Sequence, residues 1–368
     1  MNKKSYHIIT IGCQMNKSDS ERMASVLERR GFKWTGNKNQ ADLVVINTCG
    51  VRQSAEDRIY GLIPEIKKKN KKAKIMVTGC LVYRKDVRRR LEKYVDEWLM
   101  ITEIKLGKFT TKKIPPAPFV KGEQCGDYLK IIPKYDSKFS AFVPIGNGCD
   151  NFCSYCVVPY ARGREVWRPA HDIITEVRGL VEKGYKEIIL IAQNVNSYKS
   201  HNSQLATRNS KIIDFADLLK LVNDIPGDFL IKFLTSHPKD MSAKLIKTMA
   251  TCEKVLPGIH LPAQSGDNQI LKKMNRQYTV EHYKKIIKTI RRLIPEVIIS
   301  TDIIVGFPGE TKKQFNNTVK LMKKIKFTRA YIARYTPRPG TAAYKMPDNV
   351  SREEKKRRWQ ALNSLICR

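Results

Sequence analysis

Cys149, Cys153 and Cys156 are spaced in the pattern CxxxCxxC. Thiols this close together on one loop are typical of a metal or cluster site rather than of packing. A zinc site needs a fourth ligand and usually carries CxxC pairs. Iron–sulfur clusters are held by cysteine thiolates. Three thiolates would leave one iron of a 4Fe–4S cluster without a protein ligand and open to a substrate.

Cys13, Cys49 and Cys80 each follow a short apolar run, in the segments IITIGC, LVVINTC and KIMVTGC. Each run predicts a β-strand that ends just before its cysteine. The carboxyl ends of the strands in an open parallel sheet share one edge, where ligands bind. We therefore expect these three cysteines, although far apart in sequence, to converge in a second metal or cluster site.

The other three cysteines, Cys125, Cys252 and Cys367, are scattered and are expected to be unpaired thiols. The N-terminus lacks the features of a signal peptide, and no apolar run reaches the length of a membrane span. The sequence therefore favours a cytoplasmic protein. Thiols stay reduced in the cytoplasm, so a disulfide framework is not expected.

The 368 residues include 69 lysines and arginines against 35 acidic residues, which gives a formal net charge of +34. A composition that is 42% hydrophobic and 28% charged is typical of a folded protein and argues against disorder. The basic excess favours a polyanionic partner, most often nucleic acid. The alternative is a lysine-rich surface without a partner, because the basic clusters are dispersed and several lie on predicted helices.

Alternating strands and helices must position both sets of cysteines. In the first hundred residues the pattern predicts a parallel α/β sheet, and Ser18 is predicted to cap its first helix at 18–30. A second series of six strands between 141 and 335 predicts a barrel-like α/β domain. The active site of such a barrel lies at the carboxyl ends of its strands. The proline-rich stretch 105–138 predicts a linker, and 196–211 a polar loop.

Further motifs accompany the cysteines: GCQMN at 12–16, NTC at 47–49, TGC at 78–80, GCDNFCSYCVVPYARGRE at 148–165, QNVNSY at 193–198, TSHP at 235–238, HLPAQSG at 260–266, STDIIVGFPGET at 300–311 and TPRPGTAA at 336–343. Together they resemble the radical S-adenosylmethionine methylthiotransferases, above all the MiaB-type enzymes that modify tRNA. The resemblance extends from residue 6 to about 365. It implies a flavodoxin-like N-terminal domain at 1–104, the linker at 105–138, an open (β/α)6 radical S-adenosylmethionine barrel at 139–350 and a basic segment at 351–368.

The resemblance implies two 4Fe–4S clusters with different roles. The radical-generating cluster is expected on Cys149, Cys153 and Cys156, and the auxiliary cluster on Cys13, Cys49 and Cys80. S-adenosylmethionine is expected to chelate the open iron of the first cluster. Its reductive cleavage would yield a radical that removes hydrogen from C2 of N-isopentenyladenosine next to the anticodon. A second S-adenosylmethionine would supply the methyl of a methylthio group.

Polar residues at the ends of the predicted barrel strands are candidate contacts to S-adenosylmethionine or substrate, namely Gln193, Asn194, Ser236, Gln264 and Asp302. Candidate tRNA contacts lie in or just after the loop that carries Cys149, Cys153 and Cys156, called the cysteine loop below. Phe152 and Tyr155 could stack on an adenine. Arg162 and Arg164 could meet phosphate. Ordinary loop hydrogen bonding or packing is the alternative for all of these residues.

The resemblance further implies a tRNA anticodon arm as partner. We also expect a flavodoxin or ferredoxin as electron donor, no membrane association and a monomer. The chain is expected to lack the family's C-terminal TRAM domain, which binds RNA. We therefore expect the basic surface of the remaining domains to attract tRNA. The stretch 101–138 resembles the family poorly.

Other substrates and another class of protein remain alternatives. Related enzymes modify threonylcarbamoyladenosine in tRNA or an aspartate of a ribosomal protein. The segments GCQMN and CVVPYARG favour the isopentenyl substrate. A non-catalytic iron–sulfur RNA-binding protein is disfavoured because all six ligand positions are intact, and a zinc-binding module is weaker still.

Overall fold

The computed structural model describes residues 4–104, 128–201 and 212–366. By its packing the chain divides into two compact units, Met1–Asp150 with Val157–Arg168, and Asn151–Cys156 with Pro169–Arg368. The division falls within the cysteine loop, so that Cys149 belongs to the first unit and Cys153 and Cys156 to the second. The division into domains at 104, 138 and 350 stays a prediction.

Five parallel strands form the main sheet of the first unit, and the expected α/β class is confirmed. They are β1 (Ser5–Ile11), β2 (Lys33–Trp34), β3 (Leu43–Thr48), β4 (Lys74–Gly79) and β5 (Glu97–Trp98). Their order is β2-β1-β3-β4-β5, and each neighbouring pair is parallel. This order is the flavodoxin-like one.

Three helices, α1 (Gln14–Arg29), α2 (Gln53–Lys69) and α3 (Lys85–Leu91), connect these strands. The predicted start of the first helix at Ser18 is wrong, because α1 begins one turn earlier with Cys13 as its N-cap residue. Ser18 is instead buried within α1, and its Oγ accepts a hydrogen bond from Arg22 Nη1 at 2.6 Å. Tertiary contacts hold this polar first turn, and a periodicity pattern does not show them.

Alternate residues of the central strands face opposite sides of the sheet, as the two-residue period of a strand requires. Val44 and Ile46 pack in one apolar cluster, which includes residues of α2. Leu43 and Val45 pack in another, which includes residues of α1 and the segment 128–131. The end of the predicted linker is therefore packed against the sheet. The rest of it, 105–127, lies outside the described residues.

The first unit continues with β6 (Ser140–Pro144), β7 (Gly146–Asn147), α4 (Val158–Arg162) and β8 (Val166–Trp167). Strands β7 and β8 pair antiparallel. This pairing brings the segment after the cysteine loop alongside the segment before it. Cys149 and α4 are consequently held within the same unit.

The second unit alternates strands with helices and has the expected barrel-type α/β fold. Its strands are β9 (Glu187–Ile191), β10 (Lys199–His201), β11 (Ile212–Asp214), β12 (Leu230–Phe233), β13 (Gly258–His260), β14 (Ile298–Val305) and β15 (Arg329–Arg334). The β9–β12 pair is parallel, and so are the β13–β14 and β14–β15 pairs. Strands β10 and β11 form an antiparallel pair. Part of the predicted polar loop, 202–211, lies outside the described residues.

The helices of the second unit are α5 (Ala170–Glu182), α6 (Phe215–Asn223), α7 (Ala243–Thr251), α8 (Asn268–Lys273), α9 (Val280–Leu293), α10 (Lys312–Ile325) and α11 (Arg352–Asn363). The segment 351–368, expected as a basic segment, thus contains a helix. None of the helices within 4–104, 128–201 and 212–366 is long and apolar enough to cross a membrane.

Candidate active site

The three N-terminal cysteines lie at one edge of the first sheet. The pairing register aligns Ile11 with Thr48 and Thr48 with Gly79, which are the last residues of β1, β3 and β4. Cys49 and Cys80 follow directly, and Cys13 comes two residues after β1 ends. The loops touch, since a Cβ on Gly50 would lie 2.4 Å from the Cys80 carbonyl oxygen. The structure therefore brings together the strand ends that the sequence predicted to converge.

Hydrogen-bonding groups surround the three sulfur atoms. The Cys13 thiol donates to Asn16 Oδ1 at 3.4 Å. Cys49 Sγ accepts from the amide of Val51 at 3.3 Å. Cys80 Sγ accepts from Arg162 Nε at 3.1 Å.

The protonation of Cys80 reflects its surroundings. Burial raises the pKa of the Cys80 thiol to about 12, although the positive charge of Arg162 acts in the opposite direction and the neighbouring thiols of Cys49 and Cys13 add to the increase. Iron binding would replace the thiol proton, because metals bind the thiolate form. The metal-free protein therefore holds this potential ligand as a neutral thiol.

The donor set fits an iron–sulfur cluster better than a single ion. Among residues 4–104, 128–201 and 212–366, no three His, Cys, Asp or Glu side chains lie close enough together to hold one metal ion. The ligands of a 4Fe–4S cluster bind different iron atoms, so they need not meet at one point. Three thiols on one rim, with donors directed at two of the sulfurs, suit such a cluster.

Two asparagines that the sequence analysis did not single out support this rim. Both Asn16 and Asn47 are buried. Asn47 Nδ2 donates a hydrogen bond to Ser20 Oγ at 3.0 Å. Asn16 lies in the first turn of α1, three residues after Cys13, and Asn47 lies two residues before Cys49. Their presence in the motifs GCQMN and NTC was the available sequence signal.

The side chain of Arg162 is buried, so it is not placed to meet phosphate at the surface. Its side chain is 2% exposed, and its Nη2 donates to Asp19 Oδ2 at 2.6 Å. Arg164, two residues later, is half exposed and pairs with Asp150 through Nε and Oδ1 at 2.6 Å. The assignment of Arg164 to tRNA stays a prediction, whereas the contacts of Arg162 indicate a role beside Cys80.

The cysteine loop is fixed differently on its two sides. In the first unit the amide of Cys149 donates to the Gly163 carbonyl at 3.2 Å. In the second unit Asn275 Nδ2 donates to the carbonyls of Asn151 and Phe152 at 3.2 and 3.0 Å. Phe152 and Asn275 both have positive φ, at 45° and 55°. Asn adopts a left-handed conformation more readily than most residues, whereas at Phe152 this conformation is uncommon and requires support from the surrounding structure.

Arg276 contacts the cysteine loop of the second unit, and the sequence analysis missed it. Its Nη1 lies 3.5 Å from Cys153 Sγ, and its Nη2 donates to the Pro262 carbonyl at 3.0 Å. Nearby, the Ser154 amide and hydroxyl donate to the carbonyls of Met274 and Lys273 at 3.0 and 2.8 Å. The segment 273–276 therefore holds Cys153 in place.

The aromatic residues of the loop occupy different surroundings. Tyr155 packs against an apolar cluster that includes Ile270, Met274 and Phe307. Burial raises the pKa of the Tyr155 hydroxyl well above its ordinary value. Phe152 is half-buried at the turn of the loop. Stacking of either ring on an adenine stays a prediction.

Four of the candidate cofactor residues carry buried polar atoms that have no hydrogen-bond partner among the described residues. These atoms are Gln193 Oε1, Asn194 Oδ1, Ser236 Oγ and Gln264 Oε1. Leaving such an atom unsatisfied costs about 1–3 kcal/mol. Gln264 also has a positive φ of 63°. Unpaired polar atoms just beyond strand ends suit a polar ligand such as S-adenosylmethionine.

Asp302 has a polar partner, whereas the side-chain amide of Asn196 has none among the described residues. Asp302, the fifth predicted contact, is part-exposed and its Oδ2 lies 3.1 Å from His260 Nε2. His260 Nδ1 in turn lies 2.9 Å from Ser300 Oγ. Asn196 was not predicted, yet it is buried and both polar atoms of its amide lack a partner among the residues described. Its place in the QNVNSY motif was the only sequence signal.

The scattered cysteines take no part in these groups as far as the structure describes them. Cys252 is buried at the end of α7, and burial raises the pKa of its thiol. Cys125 and Cys367 lie outside the described residues.

Family models match both parts of the chain. Residues 5–100 match the Uncharacterized protein family UPF0004, and residues 143–322 match the Radical SAM superfamily. Solved structures with a similar fold include the radical S-adenosylmethionine methyltransferase TsrM from Kitasatospora setae, with a TM-score of 0.58 and 14% identity over 93% of this chain and 74% of that one. The cobalamin-dependent radical enzyme OxsB has a TM-score of 0.60 and 12% identity over 99% of this chain and 56% of that one. Together with the fold, the match over residues 143–322 identifies a radical S-adenosylmethionine enzyme.

Curated relatives narrow the class to one family. The chain is 44% identical to the tRNA-2-methylthio-N(6)-dimethylallyladenosine synthase of Thermoanaerobacter sp. (strain X514), over 98% of this chain and 77% of that protein. It is 42% identical to the enzyme of the same name from Syntrophomonas wolfei, over 97% and 81%, and 41% identical to that of Clostridium novyi, over 99% and 82%. The chain belongs to the MiaB-type tRNA methylthiotransferase family.

Proposed function

We propose that the chain inserts a methylthio group at C2 of N-isopentenyladenosine next to the anticodon of tRNA, using two S-adenosylmethionine molecules and two 4Fe–4S clusters. The observation that carries this proposal is the 44% identity, over 98% of the chain, to a synthase named for that product. The six cysteines at the strand ends and in the CxxxCxxC loop supply the ligand sets that such an enzyme needs.

We assign the auxiliary cluster to Cys13, Cys49 and Cys80 and the radical-generating cluster to Cys149, Cys153 and Cys156. When bound, the clusters and S-adenosylmethionine supply the radical chemistry that an unactivated C–H bond requires. The chain's own contribution is to hold and orient them. Asn16 and Asn47 fix the strand ends that carry Cys13 and Cys49, and Arg276 fixes Cys153.

We assign S-adenosylmethionine binding to Gln193, Asn194, Ser236, Gln264 and Asp302, and add Asn196. The buried, unpaired amide and hydroxyl atoms of this set support the assignment. A polar cofactor would satisfy these atoms, and water would otherwise have to do so. Phe152, Tyr155 and Arg164 stay as candidates for contact with the tRNA base and backbone.

Attraction of tRNA is assigned to the dispersed basic surface, in keeping with the net charge of +34. Exposed lysines and arginines cluster near the end of α2 and on α3. We further propose that the enzyme works in the cytoplasm as a monomer and receives electrons from a flavodoxin or ferredoxin.

Nucleoside mass spectrometry of tRNA tests the function directly. A host that lacks its own methylthiotransferase is supplied with this gene, and its tRNA is digested and analysed. We expect 2-methylthio-N-isopentenyladenosine to appear with the unaltered gene and to be absent with the matched variants Cys49→Ala and Cys153→Ala. A methylthio group on threonylcarbamoyladenosine would instead assign the chain to the related tRNA enzymes. Unmodified tRNA, with the protein expressed and loaded with iron, would refute the proposal.

A further inference from the structure

Arg162 is a buried cation at the end of α4 to which the proposed reaction gives no role. Burying a guanidinium is costly unless its charge and its N–H groups are paired. The guanidinium is held by contacts in three directions. Nη2 donates to Asp19 Oδ2 at 2.6 Å, Nη1 to Asn147 Oδ1 at 3.0 Å, and Nε to Cys80 Sγ at 3.1 Å.

The two oxygen partners are themselves anchored. Asp19 is fully buried on α1 and also accepts a hydrogen bond from the Tyr128 hydroxyl. Asn147 is buried, and its Nδ2 donates back to the Arg162 carbonyl at 3.2 Å. Because a guanidinium is planar with its N–H groups in a fixed fork, these two anchors aim the Nε–H at one atom, the sulfur of Cys80.

We infer that Arg162 is a positioning residue for the auxiliary cluster, donating a hydrogen bond to the Cys80 ligand sulfur and holding a positive charge beside the cluster. The inference rests on the proposed assignment of a cluster to Cys13, Cys49 and Cys80. Hydrogen bonds to sulfur and the local charge help to set the reduction potential of an iron–sulfur cluster. A cation here favours the reduced, more negative cluster and therefore raises its potential.

Arg162 also connects α4 to α1 through Asp19, which is a purely structural role. Activity would be lost in either case, so activity does not separate the two roles. The reduction potential and the electron paramagnetic resonance signal of the auxiliary cluster do separate them. A structural tie affects whether the protein folds, whereas a hydrogen bond to the ligand sulfur changes the electronic properties of the cluster.

The experiment uses the full chain with Cys149→Ala, Cys153→Ala and Cys156→Ala, so that only the auxiliary cluster can form after reconstitution with iron and sulfide. Arg162→Gln, Arg162→Lys and Arg164→Gln are introduced into this parent. Arg164 is the matched control, because it carries the same charge on the same segment but is half exposed and pairs with Asp150. Each variant is titrated with reductant, and electron paramagnetic resonance monitors the auxiliary cluster during the titration.

We expect Arg162→Gln to lower the midpoint potential and alter the resonance signal. Arg162→Lys, which keeps the charge but lacks the aimed Nε–H, should show a smaller shift in the same direction. Arg164→Gln should match the parent. An unchanged potential and signal in Arg162→Gln would overturn the inference and leave the cluster assignment intact.

Loss of iron is interpreted against the stability of the metal-free protein. If Arg162→Gln binds no iron but its metal-free form melts like the parent, the positioning role is supported. If its melting transition is lost as well, Arg162 serves the fold and the inference fails. A parent that binds no iron would refute the cluster assignment, and with it the proposed function.

Discussion

Asn16 and Asn47 bind each other where α1 begins and β3 ends. Asn16 Nδ2 donates to Asn47 Oδ1 at 2.9 Å, and Asn47 Nδ2 donates to the Asn16 carbonyl at 2.8 Å. Cys13 is the N-cap residue of α1, and Cys49 directly follows β3. The asparagine pair therefore links the segments that carry Cys13 and Cys49.

We expect Asn47→Ala to remove the auxiliary cluster, so that iron per chain falls by about half after anaerobic reconstitution. The substitution also leaves the buried Asn16 amide unpaired, which should lower the free energy of unfolding by about 1–3 kcal/mol. Iron analysis and urea unfolding measure the two effects. Asn37→Ala is the control, because Asn37 is exposed in the same unit and accepts a hydrogen bond from the Asn39 amide. Full iron content in Asn47→Ala would contradict the role assigned to the pair.

The two cysteine sets should fail in different ways. Cys153→Ala should abolish cleavage of S-adenosylmethionine, because it removes a proposed ligand of the radical-generating cluster. Cys49→Ala should spare cleavage and stop insertion of the methylthio group. Both products, 5′-deoxyadenosine and the modified nucleoside, are measured by mass spectrometry. Cys252→Ala, at a buried thiol outside both sets, is the control. Equal loss of cleavage in both test variants would show that the division of roles is wrong.

Arg358 and Glu310 form a buried ion pair that fixes α11 to the loop after β14. Arg358 Nη1 donates to Glu310 Oε2 at 2.7 Å and to the Glu310 carbonyl at 2.9 Å. The Gly306 amide also donates to Oε2 at 2.7 Å. Arg358→Ala would leave a buried carboxylate without its cation and should lower the free energy of unfolding by about 3–5 kcal/mol.

Chemical denaturation measures this loss, and Arg357→Ala provides the comparison. Arg357 is exposed and pairs with Glu354 at the surface. Surface pairs contribute about 0–1 kcal/mol, so Arg357→Ala should unfold nearly as the unaltered protein does. Similar losses in the two variants would mean that the buried pair does not hold α11.

His237 should make stability depend on pH. Its Nδ1 accepts a hydrogen bond from the Lys239 amide at 3.1 Å. Burial, with the positive charges of Arg276 and Lys239, lowers the pKa of His237 from 6.5 to about 2. Below pH 6.5 the unfolded chain therefore binds a proton that the folded chain does not. The free energy of unfolding should fall as the pH drops below about 6.5, by up to about 1.4 kcal/mol per pH unit.

Unfolding at pH 5 to 8 tests this dependence in His237→Gln, which cannot titrate. We expect its stability to decline less steeply below pH 6.5 than that of the unaltered protein. His201→Gln, at an exposed histidine, should keep the original slope. An unaltered slope in His237→Gln would show that folding does not lower the pKa of His237.

Salt should weaken tRNA binding if the basic surface attracts the RNA. The logarithm of the association constant should fall linearly with the logarithm of the salt concentration, because each neutralised phosphate releases counterions. Filter binding from about 50 to 200 mM salt measures the slope, and six to ten phosphate contacts would reduce affinity by about 10³–10⁵. Lys68→Gln with Arg89→Gln, at two exposed basic positions, should reduce the slope. A flat dependence would exclude attraction by charge.

Elements with a local signature were predictable residue by residue. Helix α6, at Phe215–Asn223, carries such a signature. Its apolar positions repeat at the helical period, and Asp214 caps it by accepting from the Asp217 amide. The start of α1 lacked such a signal. Its polar first turn is stabilised by Asn47, which lies 31 residues from Asn16 in the chain.

The sequence by itself determined that Cys13, Cys49 and Cys80 come together, because an apolar run and the residue that follows it are local features and parallel strands end at one edge. Only the tertiary structure decided what surrounds the sulfurs. Arg162 reaches Cys80 from 82 residues away, and Arg276 reaches Cys153 from 123.

An arginine that binds phosphate and one that is buried look the same in a sequence. The difference arises when packing supplies partners that compensate for the loss of water, as Asp19 and Asn147 do for Arg162. The positions of the thiols thus follow from local sequence features. Which cations lie beside them depends on the fold, because the cost of desolvating a charge is set by the groups that the rest of the chain brings next to it.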